Sequence, residues 1–290
     1  MEFIFVDDCT PDHSMDFLRK VLEEEFPHRK SQVRFYRMPE NSGLYKVRWQ
    51  GIQMATGDYI IPCDSDDYVE TEAYRLMYEK AVEGDYDIVT CDFYKEDFRR
   101  SKVIKGEAKS INELLSGKAP WNLCIRLVRR HLLQEDIVPP VASNGEDMCF
   151  TLQASLKAKS FGHIDLPLYH YCYNEDSITR ITGYSSAVHL WESFMRNASI
   201  ILELLINRYG YPPNHPSIVL FKYYCRLSLR HCVQTREGYR LWKSTFPEVD
   251  KAYLFTSGAT LEDKFWFVLI HLHLYSFVKK ITGRLKGRGM

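Results

Sequence analysis

Short apolar runs alternate with amphipathic ones along the N-terminal part of the chain, and this pattern limits the fold most. Phe3–Val6, Val33–Tyr36, Tyr59–Cys63 and Tyr86–Cys91 read as strands. Between them, a helix capped by Ser14 carries Phe17, Leu18, Val21 and Leu22 and ends at Pro27. Leu44, Val47, Ile52 and Ala55 recur at helical spacing, with Gly57 placed to end the turn, and Thr71 starts a helix that stops at Gly84. Strand–helix alternation with short apolar strands predicts an α/β domain built on a mostly parallel sheet. Beyond Tyr184 strand signals fade, and Ala187–Arg208, Ser217–Gln234 and Leu261–Thr282 read as helices. Two parts are expected, an α/β domain over 1–183 and a helical region over 184–290, in line with about 150 residues per domain.

Lys plus Arg and Asp plus Glu both number 38, so the formal charge is zero and bulk nucleic-acid binding, which needs a basic surface, is disfavoured. None of the 8 Cys stands in a C-x-x-C pair, and most lie in apolar stretches, as expected of free thiols in a reducing compartment. The Met1–Asp8 segment has no basic start and only four apolar residues in a row, unlike a signal peptide. These features point to the cytoplasm.

Asp64-Ser65-Asp66-Asp67 follows the strand Tyr59–Cys63. Crowded carboxylates at the C-terminal edge of such a sheet, where open α/β sheets bind ligands, suit Mg²⁺ or Mn²⁺ shared with a phosphate; a solvated acidic turn is the alternative. Asp7-Asp8 also follows a strand, and a parallel sheet would bring both acidic groups to one edge. Gly145-Glu146-Asp147-Met148 opens a helix, where a carboxylate either compensates the macrodipole or serves as a general base aimed into a cleft.

These pieces, in this order, resemble the family 2 glycosyltransferases, inverting nucleotide-sugar enzymes of the GT-A fold. Asn41-Ser42-Gly43, Arg48, Gly51-Ile52, Ala55, Gly57-Asp58-Tyr59-Ile60 and Asp64-Ser65-Asp66-Asp67 resemble the family's N-x-G, A-R-N-x-G-I, A-x-G-x-Y-I and D-S-D-D. Val6-Asp7-Asp8-Cys9, Arg126-Leu127-Val128-Arg129-Arg130, Gly145-Glu146-Asp147-Met148 and Tyr169-His170-Tyr171 with Ser177-Ile178-Thr179 are similar to further family segments. The resemblance implies a Rossmann-like GT-A domain with a C-terminal helical appendage. It implies donor contacts from Asp7, Asp8, Arg48, Asp64, Ser65 and Glu146, a divalent Mn²⁺ or Mg²⁺ on Asp66 and Asp67, and Asp147 as the base for the acceptor hydroxyl. The implied reaction moves a sugar from a nucleotide-diphosphate donor, expected to be a UDP-sugar, to a glycan or lipid-linked acceptor in cell-surface polysaccharide or lipopolysaccharide synthesis. His170 could add a metal or phosphate contact but lies among aromatics, as a structural histidine would.

Some positions depart from the family. Cys9 stands where Gly is usual, Cys172 where a basic residue is frequent, and Trp49 where Asn is usual; Trp49 is expected to crowd Arg48. The family's first strand and its loop would lie upstream of Phe3, so the chain is expected to lack them, through a start assigned too late or as a fragment. Downstream, the apolar run Phe265–Val278 leads into Lys279, Lys280, Arg284, Lys286 and Arg288. It is too short to span a bilayer but suits a peripheral contact through 265–290 with an anionic membrane's inner face; a helix packed on the protein is the alternative. Two rival functions remain. A non-catalytic nucleotide-sugar-binding or scaffold protein would need no intact Asp64, Asp66 and Asp147. A haloacid-dehalogenase-type phosphotransferase would need Thr or Val where Tyr68 stands.

Overall fold

A computed structural model describes residues 1–97, 100–174, 183–256, 259–274 and 278. The Ser177–Thr179 segment and the basic residues from Lys279 onward lie outside them.

The chain forms two compact units. The first comprises Met1–Ile111, Ala119–Ile178 and Ser193–Ile201; the second comprises Asn112–Lys118, Thr179–Glu192 and Leu202–Met290. The elements in chain order are β1 (Phe3–Asp7), α1 (Ser14–Glu24), β2 (Val33–Arg37), α2 (Leu44–Met54), β3 (Tyr59–Ile60), β4 (Tyr68–Val69) and α3 (Ala73–Glu83). Then come β5 (Ile88–Asp97), β6 (Arg100–Ile104), α4 (Ile111–Leu115), β7 (Arg126–Arg129), α5 (Arg130–Gln134), α6 (Glu146–Lys157), β8 (Phe161–Tyr171) and α7 (Tyr184–Glu203). The remainder is helical: α8 (Pro216–Leu227), α9 (Arg236–Ser244), α10 (Val249–Ala252) and α11 (Leu261–His271).

In the first unit the main sheet runs β3-β7-β5-β8-β4, with β6 added beside β5, while β1 pairs with β2 alone. The α/β class follows from the alternation, but the strand directions are mixed. The β1–β2 and β5–β8 pairs are parallel, whereas β7 runs antiparallel to both β3 and β5. The short strands β4, β6 and β7 supply the reversals, and in β7 the terminal Arg126 and Arg129 mask a strand pattern. β1 and β3 therefore sit in separate sheets, so a shared strand edge does not unite their acidic ends.

Each face of the main sheet has its own core. Val89, Cys91 and Phe93 alternate along β5 and pack with Ala73, Met77 and Ala81 of α3. Ile88 and Val128 face the other way, onto Ile52 of α2, Leu132 and Leu133 of α5 and Phe150 and Ala154 of α6. Burying a Leu, Ile or Phe side chain contributes about 1.5–3 kcal/mol, so these clusters fix α2 and α6 against the sheet. The α2 and α6 helices carry the acidic site's partners.

Helix starts differ from the sequence expectation. Ser14 does not cap α1; its N–H donates to Asp12 Oδ1 at 2.9 Å. The α3 helix begins at Ala73 with Glu72 as the flanking residue, two positions past Thr71, and ends before Gly84 as expected. In α6, Gly145 occupies the left-handed region at φ 83°, and a Cβ there would come within 2.7 Å of Phe194. Glycine is therefore required at the turn that launches Glu146 and Asp147.

The second unit packs α7's start, α8, α9, α10 and α11 around Trp242, Tyr253, Tyr223 and Phe267. The α9 and α10 helices are short, and no pattern in the sequence marks them as separate elements. The α11 helix runs Leu261–His271, and residues 275–277 and 279–282 of the expected helix lie outside the described residues; Phe267 and Ile270 are buried while Phe265 is exposed. Among the described residues, no helix is long and apolar enough to cross a membrane.

Candidate active site

Arg48 is the centre of the site. It lies one turn before the core residue Ile52 on the same face of α2 and is itself 8% exposed. Its Nη1 donates to Glu146 and, at 2.5 Å, to Asp147; its Nη2 donates to Asp64 at 2.5 Å. One guanidinium thus draws together α2, the loop after β3 and the first turn of α6. A buried arginine is stable only when paired, and its fork of donors suits several carboxylates at once. Burial works against its charge, yet Asp147, Glu146 and Asp64 outweigh that and hold it above its ordinary value.

Trp49 does not crowd this node. Its ring stacks on Phe150 at 6.1 Å between centroids, among the residues of the α6-side core. The bulk that replaces the family's Asn is absorbed by packing, and Arg48 stays directed at the acids.

The two acids of α6 differ. The Glu146 side chain is 7% exposed and the Asp147 side chain 26%. Burial and the adjacent Asp147 push Glu146 up to about 8, against the pull of Arg48. Burial also raises Asp147, with Arg48 opposing and Asp64 adding. A carboxylate that is both open to solvent and made more basic by its surroundings can take a proton from a hydroxyl.

Downstream of Asp64 the acidic loop divides its tasks. Asp67 is fully engaged: Tyr169 Oη donates to Oδ2 at 2.5 Å and the Cys172 backbone N–H to Oδ1 at 2.7 Å. The Cys172 position therefore acts through its main chain. Asp66 is exposed, and Asn174 Nδ2 donates to its Oδ2 at 2.8 Å. Ser65 is exposed too. The oxygen-only donors of Asp66 and Asp67 fit a hard divalent cation such as Mn²⁺ or Mg²⁺, with Asp66 the accessible ligand.

Asp7 and Asp8 brace loops. The Thr10 N–H and Arg37 Nη1 donate to Asp7 at 2.8 and 2.6 Å. Asp8 accepts from the N–H groups of Ser42 and Gly43 at 2.7 and 2.9 Å, which ties the end of β1 to the start of α2. Among the described residues no hydrogen bond or ion pair joins either to the Arg48 node. Cys9 adopts φ 59°, the left-handed region that explains a glycine at this position in relatives of the family type. His170 is structural in its contacts. It lies between the rings of Tyr68 and Tyr94, at 4.1 and 4.6 Å, and bonds Glu96 at 2.7 Å and Glu70 at 2.9 Å.

Sequence reasoning missed Tyr169 and Asn174 as partners of the acidic loop. The only available signal was the aromatic segment around His170.

A Rossmann-like α/β unit with a strand-end acidic loop, a basic hub and a carboxylate at a helix start defines the GT-A type of nucleotide-sugar transferase fold. Residues 1–137 match the family model described as Glycosyl transferase family 2. The chain is similar to that family over this N-terminal stretch. It is 30% identical to "Uncharacterized glycosyltransferase EpsJ" of Bacillus subtilis (strain 168) over 62% of this chain and 55% of that protein. It is 28% identical to "Putative glycosyltransferase EpsH" of the same organism, over 62% and 54% respectively. The chain thus spans about half the length of these curated relatives. Its fold is similar to S. aureus TarS 1-349 solved in complex with UDP-GlcNAc, at a TM-score of 0.52 and 18% identity, over 83% of this chain and 74% of that one.

Proposed function

We propose that the chain is an inverting glycosyltransferase that moves a sugar from a UDP-sugar to a hydroxyl of a glycan or lipid-linked acceptor. The observation that carries this reading is the Arg48 node, which brings Asp64 together with the adjacent Glu146 and Asp147 from segments distant in sequence. The match of residues 1–137 to the family model supports the reaction class, and TarS, whose structure was solved with UDP-GlcNAc, supports the donor class.

Each residue takes a role consistent with its surroundings. Asp147, partly exposed and raised because most of its side chain is buried, accepts the proton of the acceptor hydroxyl. Arg48 holds that carboxylate in place and leaves when a ligand oxygen competes for its donors, or stays to offset the developing negative charge. Glu146, buried against Arg48, sets the guanidinium's position. Asp64 faces the ribose, with Ser65 beside it, while Asp7 and Asp8 shape the loops of the nucleotide pocket. Asp66 would hold the divalent cation, with Asp67 anchoring the loop behind it. When bound, that cation would neutralise charge on the diphosphate leaving group. Attack from the face opposite the leaving group gives inversion at the anomeric carbon, and fixing both reactants supplies much of the rate. The domain at 1–183 carries this chemistry, and 265–290 would contact the membrane's inner face.

Thermal unfolding with UDP, with and without Mn²⁺, tests the donor site. A ligand at about 100 times its dissociation constant adds about 2.7 kcal/mol. Metal-dependent stabilisation by UDP, lost in Asp66→Ala, is expected, together with release of UDP from a UDP-sugar when acceptor is present. Stabilisation without turnover would favour the non-catalytic binding protein. No response to UDP, GDP or dTDP would overturn both.

A further inference from the structure

We propose that Asp92, His163 and Asp165 form a second metal site, of the kind that takes Zn²⁺, which Lys105 closes in the metal-free chain. The site shares no residue with the donor site and does not rest on the glycosyltransferase reading.

The donor atoms of these three side chains lie within 4.8 Å of one another. His163 Nε2 is 3.3 Å from Asp92 Oδ1 and 3.5 Å from Asp165 Oδ1. A tetrahedral ion with ligands at about 2.0 Å has ligand–ligand edges of about 3.3 Å, so both spacings suit Zn²⁺. Nε2 is buried and makes no hydrogen bond, although it lies within ion-pair reach of both carboxylates. The other ring nitrogen is held: Nδ1 lies 2.9 Å from Thr90 Oγ1. A proton on Nδ1 donated to Thr90 leaves the Nε2 lone pair directed at the two carboxylates. This is the outer partner that orients metal-bound histidines.

The backbone is built for the meeting. β5 and β8 run in register from Ile88 to Cys91, where Cys91 faces Ile164 and Thr90 faces His163. The register then jumps, so that Asp92 faces Pro167. The extra residues of β8 bulge out and include Asp165. Bulges re-aim side chains, and this one turns Asp165 back toward Asp92. The Asp92 carboxylate is 1% exposed and also accepts the Gly106 N–H at 3.0 Å.

Lys105 stands where a cation is required. Its Nζ is 2.7 Å from Asp92 Oδ2 and 3.2 Å from Asp165 Oδ1, but its side chain is 67% exposed. It neutralises the buried carboxylate when no metal is present and can swing into water when one arrives. One imidazole with two carboxylates and a vacated fourth position suits Zn²⁺ or Co²⁺ better than Mg²⁺, which prefers oxygen alone.

The test titrates the full chain with Co²⁺ and Zn²⁺, in an Asp66→Ala background that removes the proposed donor-site ligand. One equivalent of Co²⁺ with the visible bands of a four-coordinate ion is expected, displaced by Zn²⁺. His163→Gln should weaken binding about 10–100-fold, the usual cost of losing a ligand or its support. Lys105→Met should strengthen binding about tenfold, because it removes the competing cation while leaving every ligand in place. Equal Co²⁺ binding in wild type and His163→Gln would overturn the proposal. So would unchanged or weaker binding in Lys105→Met, which would make the group a plain salt-bridge cluster. Lys105 is exposed, so that variant carries the test if His163→Gln fails to fold.

Discussion

The two units solve the same electrostatic problem with opposite signs. In the first, one cation, Arg48, is surrounded by Asp64, Glu146 and Asp147. In the second, one carboxylate, Asp250, is surrounded by Arg226 at 2.6 Å, Lys243 at 2.8 Å and His271 at 3.1 Å. The guanidinium of Arg226 also lies 3.6 Å over the Trp242 ring. The first cluster has spare negative charge and edges open to solvent, so it can receive a proton or a ligand. The second is capped by a buried tryptophan and holds helices α8, α9, α10 and α11 together. Asp64, Asp147 and Asp250 keep similar exposure, at 28%, 26% and 23%, so what separates the clusters is the sign of the excess charge and not access to solvent.

The comparison can be broken at several points. Arg48→Met should cost most, about 3–5 kcal/mol in denaturant unfolding, because it strands buried carboxylates without a counter-charge. Protonation of Glu146 and Asp147 will limit that loss in acid. Asp147→Asn should lower turnover about 10²–10⁴-fold in a donor-release assay, while leaving the unfolding midpoint unchanged or slightly higher, since burial already disfavours its charge. Asp250→Asn should cost about 2–4 kcal/mol, less than a sealed pair because Asp250 retains some exposure, and should leave UDP binding intact.

A pH series sharpens the contrast further. Burial lowers the His170 pKa, but Glu96 and Glu70 outweigh it and raise it above 6.5. Its stabilisation is therefore complete below the ordinary value of about 6.5 and is lost as pH rises from there through the raised folded-state value. His170→Phe should flatten this alkaline slope in thermal unfolding. Cys9→Gly should have the smallest effect, a gain of about 0.5–1 kcal/mol from relief of the left-handed backbone, measured by the same method.

Contiguous features were legible in the sequence. The acidic loop at Asp64–Asp67 and the glycine before Glu146 appear as motifs because strand ends and helix starts are local events. The Arg48 node was less visible, since its partners lie 16, 98 and 99 residues away along the chain. Trp49 looked like an obstacle because its partner, Phe150, belongs to a different helix. The direction of β7 was hidden by flanking arginines, and the meeting of Asp92 with Asp165 depends on a bulge that no local pattern announces. What the sequence withholds is pairing across the sheet, where register and not neighbourhood decides contact.

The Asp8 carboxylate gives the molecule a pair of natural reporters. The amides of Ser42 and Gly43 lie outside the regular helical ladder yet point at one charged group at the end of β1. Their exchange with solvent and their NMR shifts would follow that strut alone, so two signals would reveal whether the loop after β1 and the helix bearing Arg48 move together or separately when a ligand is added.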